Sequence, residues 1–129
     1  MNKGYKIGDV AQLTGLTART IRYYEELGLL EESDRSEGGT RYFSDGDIHR
    51  LRRITLLKNV GLTLEDIGRI LPLYYEDGRA LEAKHEVLKI LQAHLATADK
   101  KIEELKQFRE ETERNIAVLE QYIRYYDET

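Results

Sequence analysis

The sequence predicts a mainly α-helical fold in which two helix-turn-helix units surround a small β-hairpin and a long coiled-coil helix follows. Three observations predict this class. Apolar residues recur at helical spacing, glycines and capping residues separate the segments, and a seven-residue repeat fills the C-terminal part. The single proline, Pro72, also favours helices. We expect a domain over residues 1–75, a coiled-coil dimerisation helix over 80–121 and a short aromatic tail over 122–129.

An amphipathic pattern over residues 7–13 predicts the first helix. Gly15 can adopt the positive φ that a tight interhelical turn needs, and Thr17 can cap a second helix. Any pair of antiparallel helices could carry this spacing, so a purely structural αα-hairpin stays an alternative on these residues alone.

The second helix presents two different faces. Ala18, Ile21 and Tyr24 point toward a core. The opposite stripe, at spacings of three and four residues, holds Arg19, Arg22, Tyr23 and Glu26. Two guanidinium groups and a phenol near a helix N-terminus suit phosphates and base edges. We therefore take this helix as a candidate DNA-reading helix.

A β-hairpin is predicted next, because two adjacent glycines lie in a polar segment and an alternating Arg41-Tyr42-Phe43 follows. Arg35 and Arg41 flank the turn, where a wing would meet DNA. Such a ribbon is marginal alone and must lean on the helices, which we expect Phe43 to do.

A second helix-turn-helix unit follows the hairpin. Ser44 and Thr63 each begin a capping sequence, and Pro72 ends the second of the two helices. A basic cluster lies on the first of them: Arg50, Arg52, Arg53 and Lys58. We expect it to be a solvated face with ion pairs, and the alternative is that it reads bases or that one of its residues contacts a phosphate.

The C-terminal part carries a heptad repeat that predicts one long helix. The repeat positions are Leu88, Leu91, Leu95, Ala98, Ile102, Leu105, Arg109, Thr112, Ile116, Leu119 and Ile123. Such a helix extends roughly 60 Å, which is too long to fold back on a domain of this size. We call these positions the seam and expect a second copy of the chain to cover it, which predicts a homodimer.

Composition excludes several kinds of site. The absence of cysteine excludes disulfides and thiolate metal sites. His85 and His94 lie on opposite sides of a helix, so they cannot share a metal ion within one chain. No catalytic Ser/His/Asp set or phosphate-binding loop stands out. We therefore expect no enzyme, no metal and no cofactor.

The formal charge of −4 gives no general sign of a nucleic-acid partner, so any DNA affinity must come from a few well-placed cations. The start of the chain lacks the apolar core of a signal peptide, and no run is apolar enough to span a membrane. These features predict a soluble, cytoplasmic protein.

The order of several short motifs is more specific than any one of them. The motifs are Ile7-Gly8-Asp9-Val10-Ala11, Gly15-Leu16-Thr17, Thr20-Ile21-Arg22-Tyr23-Tyr24-Glu25, Gly28-Leu29-Leu30, Gly39-Thr40-Arg41-Tyr42-Phe43 and Gly61-Leu62-Thr63-Leu64-Glu65-Asp66-Ile67. Together, from about Tyr5 to Leu71, they resemble the MerR family of bacterial transcription regulators.

The resemblance implies a winged helix-turn-helix DNA-binding domain and a dimer joined by an antiparallel coiled coil. It also implies binding to a palindrome in an overlong promoter spacer, which the protein bends and untwists when an effector triggers it, so that RNA polymerase can engage both promoter elements. Carried over by position, the recognition surface is Thr17, Arg19, Thr20, Arg22 and Tyr23, and the wing contacts are Arg35, Arg41 and Tyr42.

The effector is the part of the resemblance that the residues define least. Five tyrosines form a candidate pocket for an apolar or cationic small molecule: Tyr74, Tyr75, Tyr122, Tyr125 and Tyr126. The alternative is that these rings only pack the ends of the dimer.

Two other functions stay open at this point. One is an architectural or anchoring DNA-binding protein, such as a chromosome organiser or an excisionase-like factor, without effector sensing. The other is a coiled-coil adaptor that never touches nucleic acid. A large preference for one palindrome over random DNA would distinguish a regulator from both.

Overall fold

The computed structural model describes residues 4–31 and 39–128, which form five α-helices and one 3₁₀ helix. The helices are α1 (Ile7–Thr14), α2 (Ala18–Glu26), α3 (Asp45–Asn59), α4 (Leu64–Ile70) and α5 (Ala80–Asp127), with the 3₁₀ helix at Leu71–Tyr75. The predicted mainly helical class is therefore confirmed. The chain divides into two compact units, residues 1–90 and 91–129, and their boundary lies within α5.

The turn between α1 and α2 follows from its sequence. Gly15 has a φ of 75°, and its N–H donates to the Ala11 carbonyl over 2.9 Å. This left-handed conformation ends α1, and it favours glycine because a side chain would be strained there. Val10 and Ile21 are fully buried. The first predicted helix-turn-helix is confirmed.

The second helix pair begins at the two predicted caps. The Ser44 hydroxyl accepts the Asp47 N–H over 3.0 Å, and the Asp47 carboxylate accepts the Ser44 N–H over 2.9 Å. Thr63 accepts the Asp66 N–H over 3.1 Å at the start of α4. These bonds satisfy amide groups that a helix start leaves unpaired, and they fix where α3 and α4 begin.

The first compact unit covers its own apolar core. The core residues with no exposed surface are Val10, Ile21, Leu51, Ile54, Ile67, Ile70 and Ala83. Four helices and the first turns of α5 contribute to this set, so the unit buries its apolar faces within one chain.

The predicted β-hairpin is not shown by the structure. Within residues 4–31 and 39–128 there is no β-strand, and an isolated antiparallel bridge joins Tyr5 and Phe43. The two residues exchange N–H···O bonds of 2.7 Å. The predicted turn, with Arg35, lies outside the described residues. Phe43 is buried, as expected, and its described bridge partner is the N-terminal segment.

The long helix α5 is continuous from Ala80 to Asp127. The segment 122–129, which the sequence suggests as a separate tail, is therefore helical through Asp127. None of the helices in the described part of the chain has the length and apolar character that a membrane crossing requires.

Candidate nucleic-acid interface

The predicted stripe of α2 is exposed. Arg19, Arg22 and Glu26 are exposed, and the Tyr23 side chain is 48% exposed. On the opposite side, Ile21 and Tyr24 are buried against the core. A helix held by one face and open along the other can present cations to a polyanion without unfolding.

The two threonines of the predicted recognition surface also form the cap of α2. Thr17 accepts the Thr20 N–H over 3.1 Å and donates its own hydroxyl hydrogen to Thr20 Oγ1 over 2.9 Å. The Thr17 hydroxyl is therefore largely used inside the protein. The Thr20 hydroxyl still has its hydrogen to donate.

A groove of about 540 Å³ lies beside α2. Its lining combines the start of α1, the exposed side of α2 and the segment that precedes α3: Lys6, Ile7, Arg22, Glu25, Glu26, Thr40, Arg41 and Phe43. Lys6 is a groove residue that was not predicted from the sequence. The signal that could have identified it is a lysine directly before the first predicted helix. Lys6 is exposed and lines the same groove as Arg22, so it adds a positive charge to this surface.

Arg41 lies inside the protein. Its side chain is only 10% exposed, and its guanidinium stacks 4.4 Å from the Phe43 ring centre. Its nitrogens donate to the Glu25 carboxylate, the Tyr42 carbonyl, the Glu31 carbonyl and the Asp47 carboxylate. These internal partners distinguish Arg41 from the exposed arginines of α2.

The other two predicted wing residues have different outcomes. Tyr42 is half-buried and adjoins the groove-lining residues Thr40, Arg41 and Phe43. Arg35 lies outside the described residues. Their contacts with DNA stay predictions.

The basic cluster of α3 is solvated only in part, because Arg52 and Lys58 are exposed whereas Arg50 and Arg53 are partly buried. The Arg50 guanidinium lies 4.1 Å from the Tyr75 ring centre, and the Arg53 guanidinium lies 4.0 Å from that of Tyr74. The Arg50 side chain is only 18% exposed and lies 3.8 Å from a Glu31 carboxylate oxygen. Arginine planes stack well on aromatic faces, which explains why these side chains fold back.

The five candidate effector tyrosines fall into two groups. Tyr74 and Tyr75 pack in the first compact unit, where the Tyr75 hydroxyl lies 2.9 Å from His49 Nδ1. The other three rings belong to the second unit, with centroids 4.6 Å apart for Tyr122–Tyr126 and 4.9 Å for Tyr125–Tyr126. No described residues form a group of three metal-binding side chains.

Charged and phenolic groups also hold the edges of the first unit. The Tyr5 hydroxyl donates to Asp45 over 2.8 Å, and this carboxylate raises the pKa of Tyr5 above its ordinary value. At the start of α5, Arg79 bonds Glu82 and Glu76, and the guanidinium lowers the pKa of Glu82. The Tyr5–Asp45 bond joins the segment before α1 to the start of α3, and the Arg79 contacts fasten the start of α5.

Comparison with known proteins identifies the family. Residues 5–73 match the family model described as MerR HTH family regulatory protein, and residues 48–114 match the model described as MerR, DNA binding. An uncharacterized HTH-type transcriptional regulator of Pseudomonas aeruginosa is 35% identical over 104 residues, which cover 81% of this chain and 76% of that protein.

Solved structures agree with this assignment. The transcription regulator PbrR691 from Ralstonia metallidurans CH34, solved in complex with lead(II), has a TM-score of 0.67 at 28% identity, over 82% of this chain and 80% of that one. HiNmlR, a MerR family regulator lacking the sensor domain and bound to promoter DNA, has a TM-score of 0.52 at 31% identity, over 88% and 87%. The chain therefore belongs to the MerR family of DNA-binding transcription regulators.

Proposed function

We propose that this regulator acts as a homodimer on a palindromic promoter site and distorts the promoter spacer in response to an effector. The observation that carries the proposal is the seam of α5, whose apolar side chains are exposed in the single chain. Leu95, Leu105 and Leu119 are 63%, 66% and 60% exposed. A helix with so much exposed apolar surface is stabilised by a partner, and a second copy is the commonest one.

A two-fold dimer would place two copies of α2 on DNA. Each copy of α2 would then read one half-site through Arg19, Arg22 and Tyr23. Because the two copies are related by a two-fold axis, the DNA site would be a palindrome. Two short readers compensate for the acidic overall charge, because each contributes its own phosphate and base contacts. The segment 39–43, with the predicted hairpin, would add the wing contacts beside each helix.

Distortion of the spacer is the finer part of the proposal. Bending a DNA site of roughly 20 to 30 base pairs costs roughly 1 to 6 kcal/mol. A conformational change of the protein dimer on effector binding can supply free energy of this size. The solved relative HiNmlR is bound to promoter DNA. RNA polymerase would then engage the promoter once its two elements are brought into register.

The test is selection of binding sites from genomic DNA, followed by measurement of the spacer of the promoter that each site overlaps. We expect one palindrome to be preferred by on the order of a thousandfold or more over random DNA at stated salt. An overlong spacer would support activation by distortion, and an ordinary one would support simple repression. Equal affinity for all sequences would favour the architectural alternative.

The effector proposal centres on the second group of tyrosines. Tyr74 and Tyr75 already stack on arginines, whereas Tyr122, Tyr125 and Tyr126 are 61%, 63% and 57% exposed. We infer that an apolar or cationic ligand binds at these three rings. Thermal-shift screening of wild type with Tyr75→Ala and Tyr126→Ala tests this: loss of the ligand shift in Tyr126→Ala alone is expected, and equal shifts in all three proteins would exclude the site.

A further inference from the structure

The contacts of Arg41 connect three segments that are separate in sequence. We name this arrangement the Arg41 clamp: the Arg41 guanidinium with the Glu25 and Asp47 carboxylates and the Glu31 and Tyr42 carbonyls. Glu25 lies in the last turns of α2, Glu31 in the connection after it and Asp47 in the first turn of α3. The clamp therefore fastens the segment 39–43 to the end of the recognition helix and to the start of α3.

The clamp is built around a buried carboxylate. Asp47 has no exposed surface, and it also accepts the N–H groups of Ser44 and Glu31, each over 2.9 Å. Burying a charge is costly unless it is paired and hydrogen-bonded, and Arg41 provides the cation. The planar guanidinium can meet several acceptors at fixed angles, which an ammonium group cannot.

The same geometry disfavours a direct phosphate contact by Arg41. Its nitrogens already meet four acceptors, two of which are carboxylates, so the charge of the guanidinium is already compensated inside the protein. A phosphate that approached the guanidinium would also approach Glu25 and Asp47. Coulomb repulsion would then offset the attraction.

The position of the clamp shows what it can control. Glu25 and Arg41 line the groove beside α2 together with Arg22 and Thr40. Any shift of the segment 39–43 along α2 would change the spacing between its side chains and the recognition stripe. Such a shift alters specific contacts more than general attraction to phosphates, because base contacts depend on register.

We propose that Arg41 is a positioning residue for DNA recognition, which sets the segment 39–43 in register with α2 and does not itself contact DNA. This inference rests on the proposed function, since it concerns how the regulator distinguishes its palindrome. It replaces the direct wing contact with DNA that the family resemblance implies for this residue.

The experiment compares wild type with Arg41→Met and Arg41→Lys, and uses Arg69→Met as the matched control. Arg69 is a 62% exposed arginine of α4 that pairs only with Asp66 in the described structure. The probes are the duplex that wild type selects from a random library and a random duplex of the same length. Affinity is measured across a salt series, at a temperature where circular dichroism shows every variant to be folded.

We expect Arg41→Met to weaken binding to the selected duplex about tenfold while the salt slope and the affinity for random DNA stay near those of wild type. Arg41→Lys should not restore the affinity. Arg69→Met should bind as wild type does.

Three outcomes would overturn the inference. A slope reduced by about 0.9 for each of the two subunits, with equal weakening on both duplexes and rescue by lysine, would assign Arg41 to a phosphate. Unchanged affinity of the folded variants would leave Arg41 a role in stability only. A wild-type protein without preference for any duplex would overturn both the proposed function and the inference. In the first two outcomes wild type still prefers its selected duplex, so only the inference fails.

A second variant covers the case in which Arg41→Met does not fold. Glu25→Gln keeps the side-chain shape and removes one carboxylate of the clamp. General electrostatics predicts tighter DNA binding when an acid is removed from the groove. The clamp predicts weaker binding to the selected duplex, so tighter binding of this variant would contradict it.

Discussion

The two compact units of the chain treat the same kind of side chain differently. In residues 4–90 of the described chain, Ile54, Ile67 and Ile70 are fully buried. In residues 91–128, Leu95 and Leu105 are about two-thirds exposed. Several short helices can bury one another's apolar faces. A single helix cannot bury its own apolar stripe, because the side chains of that stripe all lie on the same side of the helix. The first unit thus covers its own core, whereas the apolar stripe of the second stays exposed in the single chain, which is the surface that the proposed partner would cover.

The largest expected effect tests whether a second copy of the chain covers the seam of α5. Leu105→Glu places a charge on the seam, and an unpaired buried charge costs roughly 3 to 5 kcal/mol. We expect dimerisation and binding to the palindrome to be lost together at low protein concentration. Sedimentation velocity measures the first and a DNA-binding titration the second.

The matched control for this variant is Val118→Glu. Val118 is 64% exposed on the same helix but occupies a position outside the seam. It should remain dimeric. Dissociation by both variants alike would show that the partner covers a different face of α5.

The next effect tests whether the first compact unit buries its core within one chain. Ile54→Ala removes a fully buried side chain, so we expect unfolding to become easier by roughly 2 to 5 kcal/mol. Leu56→Ala, two residues away and 65% exposed, should change stability far less. Because the Ile54 contacts lie within one chain, the difference in unfolding free energy between Ile54→Ala and wild type should be the same at every protein concentration in chemical denaturation. A difference that changes strongly with protein concentration would mean that this region also lies in an interface.

A smaller effect is expected on the recognition stripe. Arg19→Ala should cost about 1 to 3 kcal/mol of binding free energy for each half-site and relax the preference at one base position of each half-site. Its thermal stability should equal that of wild type, because Arg19 is exposed. Binding measurements on single-base variants of the palindrome check this. An unchanged profile would remove Arg19 from the set of base readers.

The smallest effect is a pH dependence at the edge of the first unit. The pKa of Tyr5 is raised above its ordinary value of 10.0 by its hydrogen bond to Asp45 and by that charge. The folded state therefore holds the phenolic proton more tightly than the unfolded state does. The stability that this adds is complete below the unfolded pKa and is lost as pH rises through the folded one.

The measurement is the difference in denaturation midpoint between wild type and Tyr5→Phe, followed from about pH 9 to pH 11. We expect the difference to shrink as the pH rises. A difference that stays constant would show that the Tyr5 hydroxyl adds no pH-dependent stability.

Local sequence rules determined the helices and the exposed stripe. The caps at Thr17, Ser44 and Thr63 and the turn at Gly15 follow from interactions over three or four residues, and each was predicted. The face of α2 that holds Arg19 and Arg22 also follows from helical periodicity alone. These features need no knowledge of distant parts of the chain.

Tertiary structure alone decided which cations remain available to a ligand. Arg41 is 16 residues from Glu25, and Arg53 is 21 residues from Tyr74, so no local spacing brings these pairs together. Sequence patterns show that an arginine is present, but burial and pairing depend on which segments pack beside it. For this reason the sequence predicts a DNA contact for Arg41 as it does for Arg22. Only the packing of the segment 39–43 between α2 and α3 shows that Arg41 is largely buried and paired whereas Arg22 is exposed.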